Sequence, residues 1–258
     1  MNVFFAPRLP ATDNPPPSVQ TDFPPWGVGV ALGGVGVFMA GQLLTGLGVA
    51  LALETFAAPL AQAEQADARL LAWTIPVGTA VSHALSWALV FGLLVKRYRL
   101  PFWRGLGFRP VAWGALAQTA GWGLAMQMAL IPLTLAFPPS PEGGLLDAFA
   151  ELGTLARAQL ALIAVVLAPM LEEVLFRGLL FPALRRRWGF FSTALATSGL
   201  FTLLHVFQTG WYWPALGAIF LCGWGLAWLR ETRHNLWPPV AFHMGFNFTG
   251  LLPLLTGG

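Results

Sequence analysis

Residues 156–181 read ARAQLALIAVVLAPMLEEVLFRGLLF. The run is apolar for longer than the roughly 20 residues a bilayer-spanning helix needs. Yet its second half holds Glu172, Glu173 and Arg177. An ionised side chain deep in such a span costs at least ~2.5 kcal/mol on insertion scales. A span that keeps three of them does so for a reason. Composition decides that it is a membrane span and not the core helix of a soluble protein. Of 258 residues, 56% are hydrophobic and only 10% charged, whereas a soluble domain carries about 25% charged residues. Mean hydropathy is +0.66. So few charges cannot cover a soluble surface, and so much apolar side chain excludes a disordered chain. A net charge of +3 gives no basic stripe for nucleic acid. The apolar runs are continuous, where a membrane β-barrel would alternate. The fold class is therefore all-α, a polytopic membrane helix bundle.

Working outward, seven spans are expected at about 27–53, 71–95, 112–137, 156–181, 189–207, 213–229 and 236–255, with six to eight compatible with the pattern. They form a single transmembrane domain over 27–255. Residues 1–26 precede it as a Pro-rich arm, extended and without regular helix. No signal peptide is apparent, so the first span directs insertion. Residues 143–153 read as a short amphipathic helix or a plain loop. Gly29 and Gly33 make a small-xxx-small pair suited to close helix packing. Cys222, the one cysteine, reads as a packing residue.

Charge in the loops sets the orientation. Lys96, Arg97, Arg99, Arg104 and Arg109 follow the second span, Arg185, Arg186 and Arg187 the fourth, and Arg230 and Arg233 the sixth. The alternate loops carry mainly acids. The positive-inside rule places the basic loops and the N-terminus in the cytoplasm of a multi-pass cell-membrane protein. Trp26, Trp73, Trp103, Trp113, Trp188, Trp211, Trp213 and Trp237 lie near the span ends, where an interfacial belt belongs.

Few ionisable residues fall inside spans. Glu173 and Arg177 are spaced i,i+4 with the acid first, the favourable order for a pair on one helix face. Glu172 points about 100° away. Arg177 can therefore neutralise Glu173 and leave Glu172 free as a general base. A self-compensating charge cluster explains Glu173 and Arg177 equally well, but not Glu172. His205 ends the fifth span, one turn after Phe201. His243 and Asn247 share a face of the seventh, and His83 in the second has no acid near it and reads as structural. Brought to one cavity, Glu172 and His205 can hold and deprotonate a water, and His243 and Asn247 can hydrogen-bond an oxyanion. Read as ligands, Glu172, His205 and His243 can also hold one divalent metal such as zinc. The set lacks a tight two-ligand segment such as HExxH, and reads toward a site that needs no metal.

Glu172-Glu173-x-x-x-Arg177, Phe201-x-x-x-His205 and His243-x-x-x-Asn247, in this order and in apolar context, resemble the signature of the CAAX-processing and bacteriocin-processing (CPBP, or ABI) intramembrane proteases. That family includes type II CAAX prenyl endopeptidases and proteins like lysostaphin resistance protein A. The resemblance covers about residues 165–250; before it only Leu106-Gly107-Phe108-Arg109 is similar to a family feature, a short cytoplasmic motif preceding a span. It implies an intramembrane endopeptidase in which Glu172 and His205 activate water, His243 and Asn247 hold the oxyanion, and Glu173, Arg177 and Phe201 support them. The site would be built by the C-terminal four spans, in a cavity open toward the cytoplasm. Partners would be membrane lipids and a lipidated or membrane-embedded polypeptide. The rival readings are a non-catalytic immunity or scaffold protein and a small proton-coupled transporter.

One tension accompanies the shared cavity. At 1.5 Å per residue, Glu172 stands about 13 Å from the basic end of its span, His243 about 10 Å and His205 about 24 Å.

Overall fold

The computed structural model describes residues 24–52, 64–138, 154–209 and 211–256. Every element among them is helical. α1 is Val28–Ala52. α2 is Glu64–Phe91 and runs on through a widened turn, Gly92–Arg97. α3 is the short Phe102–Leu106, and α4 is Trp113–Ala136. α5 is one continuous helix over 154–185, widened at Ile163–Leu167 and Val174–Leu180. α6 is Phe190–Thr209, α7 Trp213–Arg233 and α8 Trp237–Thr256. The seven long helices match the seven expected spans. Four stretches, Val28–Gly48, Val77–Arg97, Trp113–Ala136 and Arg157–Arg185, are long and apolar enough to cross a membrane by length and composition. Residues 1–23 of the expected 1–26 arm and the 143–153 segment lie outside the described residues.

α5 occupies the middle of the bundle and touches α1, α2, α6, α7 and α8. Its residues 173–181 are all buried. Glu173 and Arg177, which looked costly in sequence, therefore face protein and not lipid. Hydrophobic side chains such as Leu44, Val81, Leu135 and Leu195 are instead exposed on the outer helices. For a bundle whose solvent is lipid this is the favourable arrangement, since backbone polar groups stay paired within each helix.

Small residues set the closest approaches, but not the ones expected. A Cβ added at Gly29 or Gly33 would meet nothing, so that pair does not pack helices. The tight contact is between α4 and α8. There a Cβ on Gly123 would strike the Phe242 carbonyl, and one on Gly245 would strike the Ala120 carbonyl. Backbone cannot move aside as a side chain can. Gly245→Ala is expected to cost about 1–3 kcal/mol of stability, read as a lowered unfolding temperature in detergent, while Gly29→Ala leaves it unchanged or raised. Equal behaviour of the two variants would contradict the α4–α8 contact.

The three basic loops gather at one end. Arg185 clamps Glu231 through Nε to Oε2 at 3.0 Å and Nη2 to Oε1 at 2.7 Å. This hydrogen bond holds the Glu231 carboxyl below its usual range. The Asn235 side chain accepts from Arg109 N at 3.2 Å and donates to Arg109 O at 3.1 Å. Leu236 N donates to Gly107 O at 3.0 Å. Gly107 has φ 91°, and a Cβ there would sit 2.8 Å from Arg230 Nη2; only glycine makes this turn without strain. Burial, with Arg109 adding to it, lowers the Arg230 pKa to about 10.

These contacts remove the depth tension. α5 runs on to Arg185, so Glu172 lies about 20 Å from its basic end and His205 about 22 Å from Phe190 at the ordinary rise. The Leu106–Phe108 turn and the start of α8 intrude into the bundle. A Cβ on Gly178 would lie 3.4 Å from both Leu106 Cδ2 and Leu236 Cδ2, which puts Leu236 about 10 Å up α5. His243, about 10 Å further along α8, then reaches the level of Glu172.

The aromatic belt is partial. Trp103, Trp113, Trp188, Trp211 and Trp213 are exposed near helix ends. Trp26 is not a belt residue: it is buried and its Nε1 donates to Leu179 O at 3.0 Å. Cys222 is buried in the core, as read from its apolar setting.

Candidate active site

Glu173 is fully buried, and its Oε1 is the junction of the site. It accepts from Arg177 Nη1 at 2.9 Å and from His243 Nδ1 at 3.0 Å. Arg177 Nη2 continues to Gly223 O on α7 at 2.9 Å. The i,i+4 pairing expected along α5 is therefore present, and it also ties α5 to α7 and α8. Because a carboxylate only accepts, the short His243 contact puts a proton on Nδ1. His243 Nε2 then faces Glu172 Oε2 at 3.7 Å.

Glu172 sits beside this cluster with a side chain 13% exposed. It lines a cavity of about 180 Å³ together with His205. His205 Nδ1 lies 2.7 Å from Phe201 O. A carbonyl also only accepts, so Nδ1 carries the proton and Nε2 keeps a lone pair. Phe201 binds the pieces together. Its ring lies 4.5 Å from the His205 ring and 5.6 Å from that of His243, and the Arg177 guanidinium sits 5.0 Å from its centroid. An arginine over an aromatic face is held by the ring quadrupole, so Phe201 fixes charge and imidazoles at once.

Asn247 stands apart. Its Nδ2 donates to Ala164 O at 2.8 Å, on the first widened turn of α5. Neither Asn247 nor His243 lines the cavity that holds Glu172 and His205. His83 is also elsewhere: its Nδ1 bonds Thr79 O within α2, and its ring meets Phe38 edge-on at 5.8 Å. Among the described residues no three His, Cys, Asp or Glu side chains converge closely enough to hold a metal ion. Glu172, His205 and His243 as placed do not fit a three-ligand metal site.

Residues 154–249 match the family model described as type II CAAX prenyl endopeptidase, Rce1-like. This segment is a CPBP-family domain. It contains Glu172, Glu173, Arg177, Phe201, His205, His243 and Asn247, the residues on which the resemblance was drawn. No curated protein and no solved structure matches the chain. The CPBP domain begins with α5, so α1 lies outside it. Yet α1 supplies one wall of the cavity through Phe38, Met39, Gln42 and Leu43. α1 thus adds a wall to a site whose expected residues all lie on the last four spans. Gln42 and, on α6, Gln208 are the residues that sequence reading missed. A search restricted to ionisable groups passes over a carboxamide. The available signal was that Gln42 and Thr45 are the only side chains with polar atoms in α1.

Proposed function

We propose that the chain is an intramembrane endopeptidase of the CAAX-protease type, acting on a lipidated or membrane-embedded polypeptide. The observation that carries this reading is the shared cavity: Glu172 and His205 line one space inside a CPBP domain. A water there would meet two acceptors, the Glu172 carboxylate and His205 Nε2. Both of its protons would be taken, which turns an oxygen lone pair toward the scissile carbonyl. Glu172 accepts one proton as the C–O bond forms and returns it to the amide nitrogen as the C–N bond breaks. The base is held in place by its surroundings: Arg177 and His243 engage Glu173 and leave Glu172 for the water.

His243 and Asn247 are the proposed oxyanion partners. One Nδ2 proton of Asn247 goes to Ala164 O, and the second is free for an oxyanion. In this role His243 keeps its Nδ1–H on Glu173 and needs a second proton on Nε2, the atom 3.7 Å from Glu172 Oε2, because only an N–H can donate to an oxyanion. The walls Phe38, Phe176 and Leu204 favour an apolar or lipid-bearing substrate segment. By the charge bias of the loops, the basic end faces the cytoplasm.

The test is cleavage of quenched-fluorescence peptides, lipidated and unmodified, by the detergent-purified chain. Wild type is expected to release fluorescence, with and without chelator. His205→Ala is expected to lower kcat by about 10²–10⁴-fold while the unfolding temperature stays within a few degrees. Undiminished turnover by His205→Ala would remove it from the mechanism.

A further inference from the structure

Gln42 and Gln208 are the two carboxamides of the cavity, and the water-activating pair does not use them. They come from different helices, α1 and α6, and each sits beside apolar neighbours: Leu43 is 59% exposed on the outer face, and Leu204 lines the wall. Neither makes a hydrogen bond among the described residues. Gln42 stands in the middle of α1, where a polar side chain without a partner is costly to insert; Gln208 is exposed, one residue before the end of α6, and joins it by lining the same cavity. α1 packs on α2 and on the second half of α5, and hardly touches α6. The cavity therefore lies at a cleft between α1 and α6 that packing leaves open.

A peptide segment entering that cleft faces a specific difficulty. Each of its N–H and C=O groups loses water, and an unpaired backbone group in an apolar setting is expensive. The walls Phe38, Phe176 and Phe201 offer nothing to pair with. A carboxamide offers one planar face with both an acceptor and a donor, the complement of one peptide unit. We propose that Gln42 and Gln208 bind the main chain of the substrate on either side of the bond above Glu172 and His205. This inference rests on the peptidase reading, and it names the substrate feature that is recognised: extended, unpaired backbone. Side-chain identity would then matter less than the capacity to present a strand.

The test is equilibrium binding, so that it does not depend on turnover. Full-length Glu172→Gln protein in nanodiscs is titrated with a fluorescein-labelled peptide, once bearing an S-farnesyl cysteine and once unlipidated. The same titrations are run with Gln42→Leu and Gln208→Leu added. An apolar replacement on these helices keeps the fold, and unfolding temperature verifies it. Each added substitution is expected to weaken binding at least tenfold. A second peptide series replaces single backbone amides by esters, which deletes one N–H. At one position the ester is expected to weaken binding to the Gln42-containing protein and to make no further difference to Gln42→Leu. Unchanged affinity in both glutamine variants overturns the proposal. So does an ester effect that simply multiplies with Gln42→Leu, or the absence of binding by the Gln42-containing protein. Cleavage by wild type is scored separately: cleavage with unchanged binding in the variants sinks this inference alone, and no cleavage sinks the peptidase reading.

Discussion

Glu172→Gln is expected to lower peptide cleavage by at least about 10²–10⁴-fold, the range a positioned general base contributes, with little change in substrate affinity. The substitution is nearly isosteric, and the contact it disturbs is a long one, to His243 Nε2 at 3.7 Å. What is lost is the ability to take a proton. A fall in kcat and kcat/KM by the same factor is therefore the signature. A rise in KM at constant kcat would mean that Glu172 binds substrate and does not activate water. Stability sharpens the point: unfolding in detergent should be unchanged, because Glu172 is the one acid of the cluster that protein groups leave free.

Arg177→Met is expected to act in the opposite way, through the fold. Arg177 and Glu173 are both fully buried, and their contact at 2.9 Å is shared with His243. Removing one member of a buried pair leaves an uncompensated charge and costs about 3–5 kcal/mol. The expected result is a large fall in unfolding temperature or failure to accumulate as folded protein. Replacing both partners by apolar residues is milder for stability, so Glu173→Met/Arg177→Met should fold better than Arg177→Met. It should still be inactive, because His243 Nδ1 then has no acceptor and the ring loses its orientation. Recovery of both folding and cleavage in the double variant would show that the cluster only supports folding, as the self-compensating reading of these charges held.

The bundle was legible because lipid imposes a simple rule. Residues that face it must be apolar over a fixed length, so the seven spans follow from run length and loop charge. The core of the site was legible for the same reason. Charges such as Glu172, Glu173 and Arg177 survive in a span only with partners, and their i,i+4 spacing names one of those partners. The depth of the site was not legible. It depends on the Leu106–Phe108 turn and on Leu236, which wedge against Gly178; nothing in a linear count shows that α8 begins inside the bundle. Close packing was misjudged at Gly29 and Gly33, since a small-residue pair looks the same facing lipid as facing a helix. Gly123 and Gly245 are told apart only by what lies opposite them. Gln42 escaped because its significance comes from the cavity it lines, a property of three helices at once.

The most direct test of the central claim, that Glu172 directs water onto a peptide bond, is a single turnover in 18O-enriched water. Substrate, product and the tryptic peptide containing Glu172 are then weighed by mass spectrometry. One 18O is expected in the new C-terminal carboxylate of the product, none in Glu172, and no product from Glu172→Gln. Label in the Glu172 carboxylate would show that it attacks as a nucleophile, and labelled product from Glu172→Gln at the wild-type rate would show that it is not the base; either result would contradict the account.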